Sequence, residues 1–145
     1  MNFTRRETMA VSGAALAASV LPIKLMASTT DLISGITGGT EASGDGINLT
    51  APEIAENGNL VPLNVTIDSP MTDEDHITSI MVVAAGNPLG GVATFHFSPL
   101  SGEASASIRM RLARTQDVIA IAKRNDGSCF LARKTVKVTI GGCGG

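Results

Sequence analysis

The chain has 145 residues, enough for one domain, and 43% of them are hydrophobic, enough for a substantial core. Trp and Tyr are absent and Phe occurs only four times, so the core must be mainly aliphatic. The net charge of −2 and the lack of aromatic residues interleaved with basic ones argue against nucleic-acid binding.

Residues 1–27 have the features of an export signal. Arg5 and Arg6 precede an apolar run, Met9–Leu21, that is too short to span a bilayer as a helix. The arginine pair and the Ala-rich, weakly hydrophobic run favour the twin-arginine route over an ordinary secretory signal. We therefore predict a periplasmic protein whose signal is cleaved after Ala27. No later segment is long and apolar enough to be inserted into a membrane.

A domain of short strands is predicted to follow a linker. Residues 28–46 are rich in Ser, Thr, Gly and acidic residues and are assigned to the linker that leads into the domain. Residues 47–140 largely alternate between apolar and polar positions, which is typical of half-buried strands. The predicted strands are Ile47–Leu49, Leu60–Asp68, His76–Ala85, Val92–Phe97, Ala104–Arg114, Val118–Lys123 and Cys129–Ile140.

Turn residues separate these strands. Pro52–Gly58 is predicted to be a turn or one helical turn, and Asn125–Ser128 is a strong hairpin signal. No convincing amphipathic helix is found. The pattern predicts an all-β fold, an immunoglobulin-like antiparallel β-sandwich of about seven strands.

The strand His76–Ala85 is apolar on both faces from Ile80 onward. Such a strand is either central in a covered sheet or covered by another chain. The sequence leaves both possibilities open, so this strand is also a candidate partner surface.

Charge is divided unevenly along the chain. Residues 28–103 contain ten acidic residues and no Lys or Arg, whereas residues 104–145 contain eight basic and two acidic residues. In one interpretation, strands from the two halves pair in one sheet and their charges offset each other. In the other, Arg133, Lys134 and Lys137 create a positive field that favours anions near the end of the chain.

The two cysteines are predicted to remain unpaired with each other. Cys129 begins the last predicted strand and Cys143 follows its end, and twelve strand residues span roughly 36–40 Å. The tail reaches back only about 10 Å, whereas a disulfide needs Cα atoms within about 7 Å of each other. Cys129 is therefore interpreted as structural, at an edge or a partner interface, and Cys143 as a free thiol.

The end of the chain reads Gly141-Gly142-Cys143-Gly144-Gly145. Glycine has no side chain to bury, and Gly-rich segments behave as flexible coil. The pattern predicts a swinging arm over residues 141–145 that carries one unhindered thiol. A frayed terminus whose cysteine has no role is the alternative.

The other polar residues do not form a recognisable catalytic or metal motif. His76 and His96 are the only histidines, and they lack a third ligand at suitable spacing. The acidic run Asp73–Asp75 is most simply a solvated loop, with weak calcium binding as the alternative. No cofactor or metal is predicted, and the chain is not expected to be an enzyme.

Several short motifs, together with the paired-arginine leader, resemble those of the SoxY family, the sulfur-carrier subunit of the periplasmic thiosulfate-oxidising system. The terminal Gly-Gly-Cys-Gly-Gly is the most specific of them. The supporting motifs are Ser69-Pro70-Met71, Asp75-His76, Asn87-Pro88, Ala93-Thr94-Phe95, Arg109–Arg114 and Asp126-Gly127. Two features depart from the family pattern: Leu89 stands where a second proline is expected, and Cys129 is an additional thiol.

The resemblance implies a carrier rather than an enzyme. Cys143 would be the covalent attachment site, with Gly141, Gly142, Gly144 and Gly145 as the arm. A SoxZ-like subunit would form a heterodimer with this chain. A SoxAX-like haem protein would attach thiosulfate oxidatively as a cysteine S-thiosulfonate, and a SoxB-like hydrolase would release sulfate. Other sulfur-oxidising enzymes would then act on the remaining sulfur.

A different function is compatible with the same tail. An exported β-sandwich could act as an interaction module whose Cys143 forms an intermolecular disulfide in an oxidising compartment. Transfer of sulfur to Cys143 distinguishes the carrier from this module.

Overall fold

The computed structural model describes residues 28–143. The predicted export signal, residues 1–27, lies outside the described residues, as do Gly144 and Gly145. The described chain begins with one α-helix, α1 (Thr29–Thr37), and has a short 3-10 helix at Pro99–Ser101. Its strands are β1 (Ala42–Ser43), β2 (Ile47–Thr50), β3 (Ile54–Asn57), β4 (Val61–Ile67), β5 (Ile77–Ala84), β6 (Gly91–His96), β7 (Ala104–Met110), β8 (Gln116–Arg124) and β9 (Cys129–Ile140).

The strands form two sheets that enclose the core, which confirms the predicted β-sandwich. The larger sheet has the order β1-β9-β8-β5-β6, with β3 as a further partner of β9, and the smaller one has the order β2-β4-β7. Neighbouring strands are antiparallel except β1 and β3, which pair in parallel with the two ends of β9. The end of β9 therefore contacts β3, which lies more than 80 residues earlier in the sequence.

The core is aliphatic, as the composition predicts. Alternate residues of β4, from Val61 to Ile67, are at most 3% exposed and face the larger sheet. Strand β5 lies between β8 and β6 and is buried on both faces, so its apolar character reflects a central strand.

The helix α1 corrects the expectation that residues 28–46 are a linker without an amphipathic helix. Its apolar residues Leu32, Ile33 and Ile36 pack against the outer face of the larger sheet, on a cluster that includes Val83 and Ile119. The sequence conceals this helix because three apolar residues are dispersed among polar ones over only nine positions. Neither α1 nor any other helix in residues 28–143 is long and apolar enough to cross a membrane.

Strand β3 corrects the expectation of a turn at Pro52–Gly58. Residues Ile54–Asn57 run parallel to the end of β9, with Ala55 opposite Val138. Only Ala55 in this strand is buried, so the segment has no alternating pattern that would reveal a strand. Its conformation is set by pairing with a segment more than 80 residues later in the sequence.

The hairpin between β8 and β9 forms where the sequence predicts it. Gly127 has a φ of +90°, a left-handed conformation that glycine adopts without strain. The Asp126 carboxylate accepts hydrogen bonds from the Ser128 hydroxyl and backbone N–H at 2.6 and 2.8 Å. The Ser128 hydroxyl is the main reason that the pKa of Asp126 lies below its ordinary value, with the Ser128 N–H next.

Candidate functional site

The candidate site lies where the chain leaves β9. The antiparallel register places the start of β4 opposite the end of β7 and the start of β8 opposite Val136 of β9. The segments 58–60 and 111–115 therefore lie at the same end of the sandwich as the tail. Hydrogen bonds join both of them to the tail.

The two thiols have opposite environments. Cys143 is exposed, whereas Cys129 is only 2% exposed, and neither is in a disulfide. The Cys129 Sγ lies 3.7 Å from the Gly127 carbonyl oxygen, and Ala42 of β1 pairs with Cys129. The sequence predicts Cys129 at an edge or a partner interface; in the structure it is not at an edge, because β1 pairs with this end of β9. Only Cys143 presents a thiol to solvent among the described residues.

Backbone hydrogen bonds continue past the end of β9. The Gly58 N–H donates to the Ile140 carbonyl at 2.8 Å, and the Gly142 N–H donates to the Leu112 carbonyl at 2.9 Å. The Leu112 N–H in turn donates to the Gly58 carbonyl at 2.7 Å. The first part of the predicted arm thus lies between two loops of its own domain.

Asn59 makes the last described contact of the tail. Its side-chain Oδ1 accepts a hydrogen bond from the Cys143 N–H at 3.2 Å. The Asn59 backbone N–H donates to Asn57 Oδ1 at 2.9 Å, which fixes the turn that carries Asn59. The backbone of the cysteine is thereby tied to the domain while its side chain stays exposed.

Two amide side chains hold the loop on the other side of the tail. Asn87 donates through Nδ2 to the Arg111 carbonyl at 2.8 Å and accepts from the Ala113 N–H at 3.1 Å. Gln116, which is buried, donates to Asn87 Oδ1 at 2.8 Å and accepts from the Gly86 N–H at 2.6 Å. These bonds fix the conformation of the loop around Leu112.

Sequence reasoning missed this supporting network. Asn87 stands in a motif that resembles the SoxY family, but the motif gave it no role, and Gly58 was interpreted only as the close of a turn. The hydrogen bonds join loops separated by 24 to 84 residues, and no local pattern encodes such contacts. The only sequence signal for this network was the presence of Gly58, Asn59 and Asn87 in segments rich in turn residues.

One of the three basic residues of β9, Arg133, is paired with an acidic residue of the neighbouring strand. Arg133 lies 3.5 Å from Asp117 of β8, and it precedes Cys143 by ten residues, about 30 Å of extended chain. At this distance, dissolved salt screens the charge of Arg133 from the thiol of Cys143. A second ion pair, Arg124 with Asp75 at 3.1 Å, joins the basic half of the chain to the acidic half. This second ion pair supports the interpretation that charges of the two halves offset each other.

The histidines and the acidic loop lie apart from the tail. His76 Nδ1 is 2.9 Å from the Thr72 carbonyl oxygen, and the Glu74 carbonyl accepts from Asn125 Nδ2 at 2.9 Å, contacts that brace the loop. His96 is exposed on β6. Within residues 28–143, no group of three or more His, Cys, Asp or Glu side chains is arranged to hold a metal ion.

Several known structures are similar to this sandwich. The structure of the sulfur carrier protein SoxY from Chlorobium limicola f. thiosulfatophilum is similar with a TM-score of 0.62 and 32% sequence identity, over 77% of this chain and 96% of that one. A superoxide reductase (neelaredoxin) variant from Ignicoccus hospitalis is similar with a TM-score of 0.53 and 18% identity, over 78% and 90% of the two chains.

A putative superoxide reductase from Thermotoga maritima is also similar, with a TM-score of 0.55 and 23% identity over 63% of this chain and 84% of that one. At these identities the two reductase likenesses show the fold alone. No curated protein gives a significant sequence match to this chain.

The described residues form a β-sandwich domain with one exposed thiol, Cys143, beyond its last strand. This arrangement is that of a carrier domain. The model of the family described as sulfur oxidation protein SoxY matches residues 33–143, from α1 to the cysteine. The chain belongs to the SoxY family, as its sequence motifs predict.

Proposed function

We propose that this protein is a covalent sulfur carrier of thiosulfate oxidation and that Cys143 is its attachment site. The observation that carries the proposal is the contrast between the two thiols in a SoxY-family domain: Cys143 is exposed and Cys129 is buried. A carrier must offer its thiol to several enzymes in turn, and only an accessible thiolate can act as the nucleophile.

The loading step forms one sulfur–sulfur bond. The Cys143 Sγ bonds to the outer sulfur of thiosulfate, the thiol loses its proton, and two electrons pass to the haem of a SoxAX-like partner. The product is a cysteine S-thiosulfonate. A SoxB-like hydrolase then adds water across the bond between the two cargo sulfurs, which releases sulfate and a proton and leaves a persulfide on Cys143.

The protein itself supplies position rather than catalysis in this proposal. Attachment, hydrolysis and further oxidation take place in the active sites of partner enzymes, and a SoxZ-like subunit completes the carrier as a heterodimer. In this proposal the twin-arginine leader predicted for residues 1–27 directs the carrier to the periplasm, where these partners would act. The motifs of the first 27 residues and family membership support both parts of the proposal.

Intact-mass measurement tests the carrier function. The exported protein is incubated with thiosulfate and its cognate haem-containing oxidising partner. We expect the mass to rise by one S2O3 unit, which is thiosulfuric acid less two hydrogens, the rise to reverse with reductant, and Cys143→Ser to abolish it. Cys129→Ser is the matched control and should load normally, since the buried thiol takes no part.

The same experiment separates the carrier from the disulfide module. A covalent homodimer that contains no added sulfur, formed by wild type and lost in Cys143→Ser, would support the module and contradict the carrier.

A further inference from the structure

We propose that the root of the arm is seated in a cradle formed by Gly58-Asn59 and Leu112-Ala113, and that Asn59 is a positioning residue for Cys143. The proposal rests on the proposed carrier function for its purpose, but the cradle can be tested without any sulfur chemistry. It changes the role of Gly141 and Gly142 from supplying freedom to permitting close contact.

Close contact is the first argument. A Cβ atom on Gly142 would lie 2.6 Å from the Gly58 carbonyl oxygen, and one on Gly141 would meet the Ala113 carbonyl oxygen at a shorter distance still. A Cβ on Gly58 would lie 2.6 Å from the Gly142 nitrogen and would also meet the Leu112 carbonyl oxygen. The obstructing atoms belong to the backbone, so a larger residue cannot be accommodated by turning a side chain.

None of these three glycines has a positive φ. Their backbone conformations are open to other residues, so turn geometry does not explain why glycine stands at each position. Glycine is required at these three positions because the cradle is too narrow for a Cβ atom.

The cradle is itself well supported. The Leu112 side chain is fully buried, and its carbonyl faces the tail as the acceptor of the Gly142 N–H. Asn87 bonds to the residues on both sides of Leu112, and the buried Gln116 holds Asn87. The Leu112 side of the cradle is therefore held by contacts that do not involve the tail.

Seating the root shortens the reach of the thiol. An arm that is free from Ile140 onward would move Cys143 through about 10 Å, whereas an arm held through Gly142 has one residue of about 3.3–3.6 Å before the cysteine. A partner enzyme must then approach the surface of the domain itself. Leu60 and Ile140, which are 62% and 67% exposed, adjoin the cradle and would come near such a partner.

Asn59 determines where the short remaining arm points. Its Oδ1 is the acceptor for the Cys143 N–H, and its own backbone is fixed by Asn57. Removing this acceptor should leave the intrinsic reactivity of the thiol unchanged but alter its presentation to a partner active site.

Amide hydrogen exchange of the full mature chain tests the cradle directly. We expect the Gly142 amide to exchange at least about tenfold more slowly than in an unstructured peptide, because its N–H is hydrogen bonded. Gly58→Ala should remove that protection, whereas Gly91→Ala, where a Cβ meets nothing within 4 Å, should preserve it. Exchange of Gly142 at the unstructured rate in the wild type would overturn the cradle whatever the protein carries.

Asn59 is tested by comparing two reactions of Cys143. In Asn59→Ala we expect the Cys143 amide to lose protection and the rate of thiosulfate loading by the oxidising partner to fall about tenfold. Labelling by a small maleimide should stay within about twofold of wild type, and Asn59→Asp, which keeps an acceptor oxygen, should restore the amide protection. Equal loading rates in Asn59→Ala and wild type would overturn the positioning role without touching the carrier function.

Discussion

The two cysteine side chains differ in the access that a reagent has to sulfur. Cys129 is buried beside β1, next to the hairpin that precedes β9, and Cys143 is exposed beyond the end of β9. Thiol reagents and partner enzymes both require collision with the sulfur atom, so burial removes Cys129 from competition. In the proposed carrier function, burial keeps this additional thiol out of sulfur transfer.

Thiol labelling tests this distinction. The native protein should take up one equivalent of maleimide rapidly, and unfolding in guanidinium chloride should reveal the second thiol. Cys143→Ser should take up none until it is unfolded. Rapid labelling of native Cys143→Ser would show that Cys129 is accessible and would remove the basis for assigning the cargo to Cys143.

At the scale of single elements, α1 covers part of the outer face of the larger sheet. Ile36 is half buried and packs on the cluster formed by Val83, Ile119 and Ile121. Ile36→Ala should lower the free energy of unfolding by about 1–2 kcal/mol, less than for a fully buried isoleucine. The exposed Ser34→Ala, in the same helix, should change it by less than about 0.5 kcal/mol.

Urea denaturation of the two variants checks this prediction. Equal stability of Ile36→Ala and Ser34→Ala would contradict the packing of α1 against the sheet.

The β8–β9 hairpin is an element whose stability should depend on pH. Because the pKa of Asp126 is lowered in the folded protein, its contribution to stability is present above the ordinary pKa and is lost as the pH falls through the folded-state pKa. Ser128→Ala removes the hydroxyl donor, so the Asp126 pKa should rise toward its ordinary value while the backbone N–H still lowers it. Titration of the Asp126 side chain by NMR measures the change; an unchanged pKa would show that the hydroxyl does not stabilise the carboxylate.

Local pattern predicts some elements and not others. Strand β4 was evident from its alternating residues, since one face packs on the core and the other meets solvent. Strand β3 and helix α1 were not predicted, because β3 buries only Ala55 and α1 fully buries only Thr37 among its nine residues. Their conformations are decided by distant segments, the end of β9 and the outer face of β5 and β8.

The candidate site shows the same division. The sequence predicts Cys143 as the candidate thiol because two glycines flank it on each side. Asn59 and the cradle could not, since their contacts form only when the loops at one end of the sandwich meet. The glycines were read as a source of flexibility, but Gly141 and Gly142 also satisfy a steric demand that only the folded domain reveals.

On the scale of the whole molecule, the sandwich holds the segment that carries the Cys143 thiol. Strand β9 spans the larger sheet, pairs with three other strands, and delivers the tail at the end where the supporting loops meet. The ion pair of Arg124 with Asp75 joins the basic part of the chain to the acidic part. The domain thus brings a single thiol to its surface without placing it in a pocket of its own.

Peptide mapping of the protein from cells that are oxidising thiosulfate tests the carrier assignment most directly. Trypsin cleaves after Arg124, Arg133 and Lys137, so Cys129 and Cys143 fall in separate peptides, residues 125–133 and residues 138–145. We predict sulfur-containing mass additions that are sensitive to reductant on the peptide 138–145 and none on the peptide 125–133. An unmodified peptide 138–145, in cells whose thiosulfate is being consumed, would contradict the account.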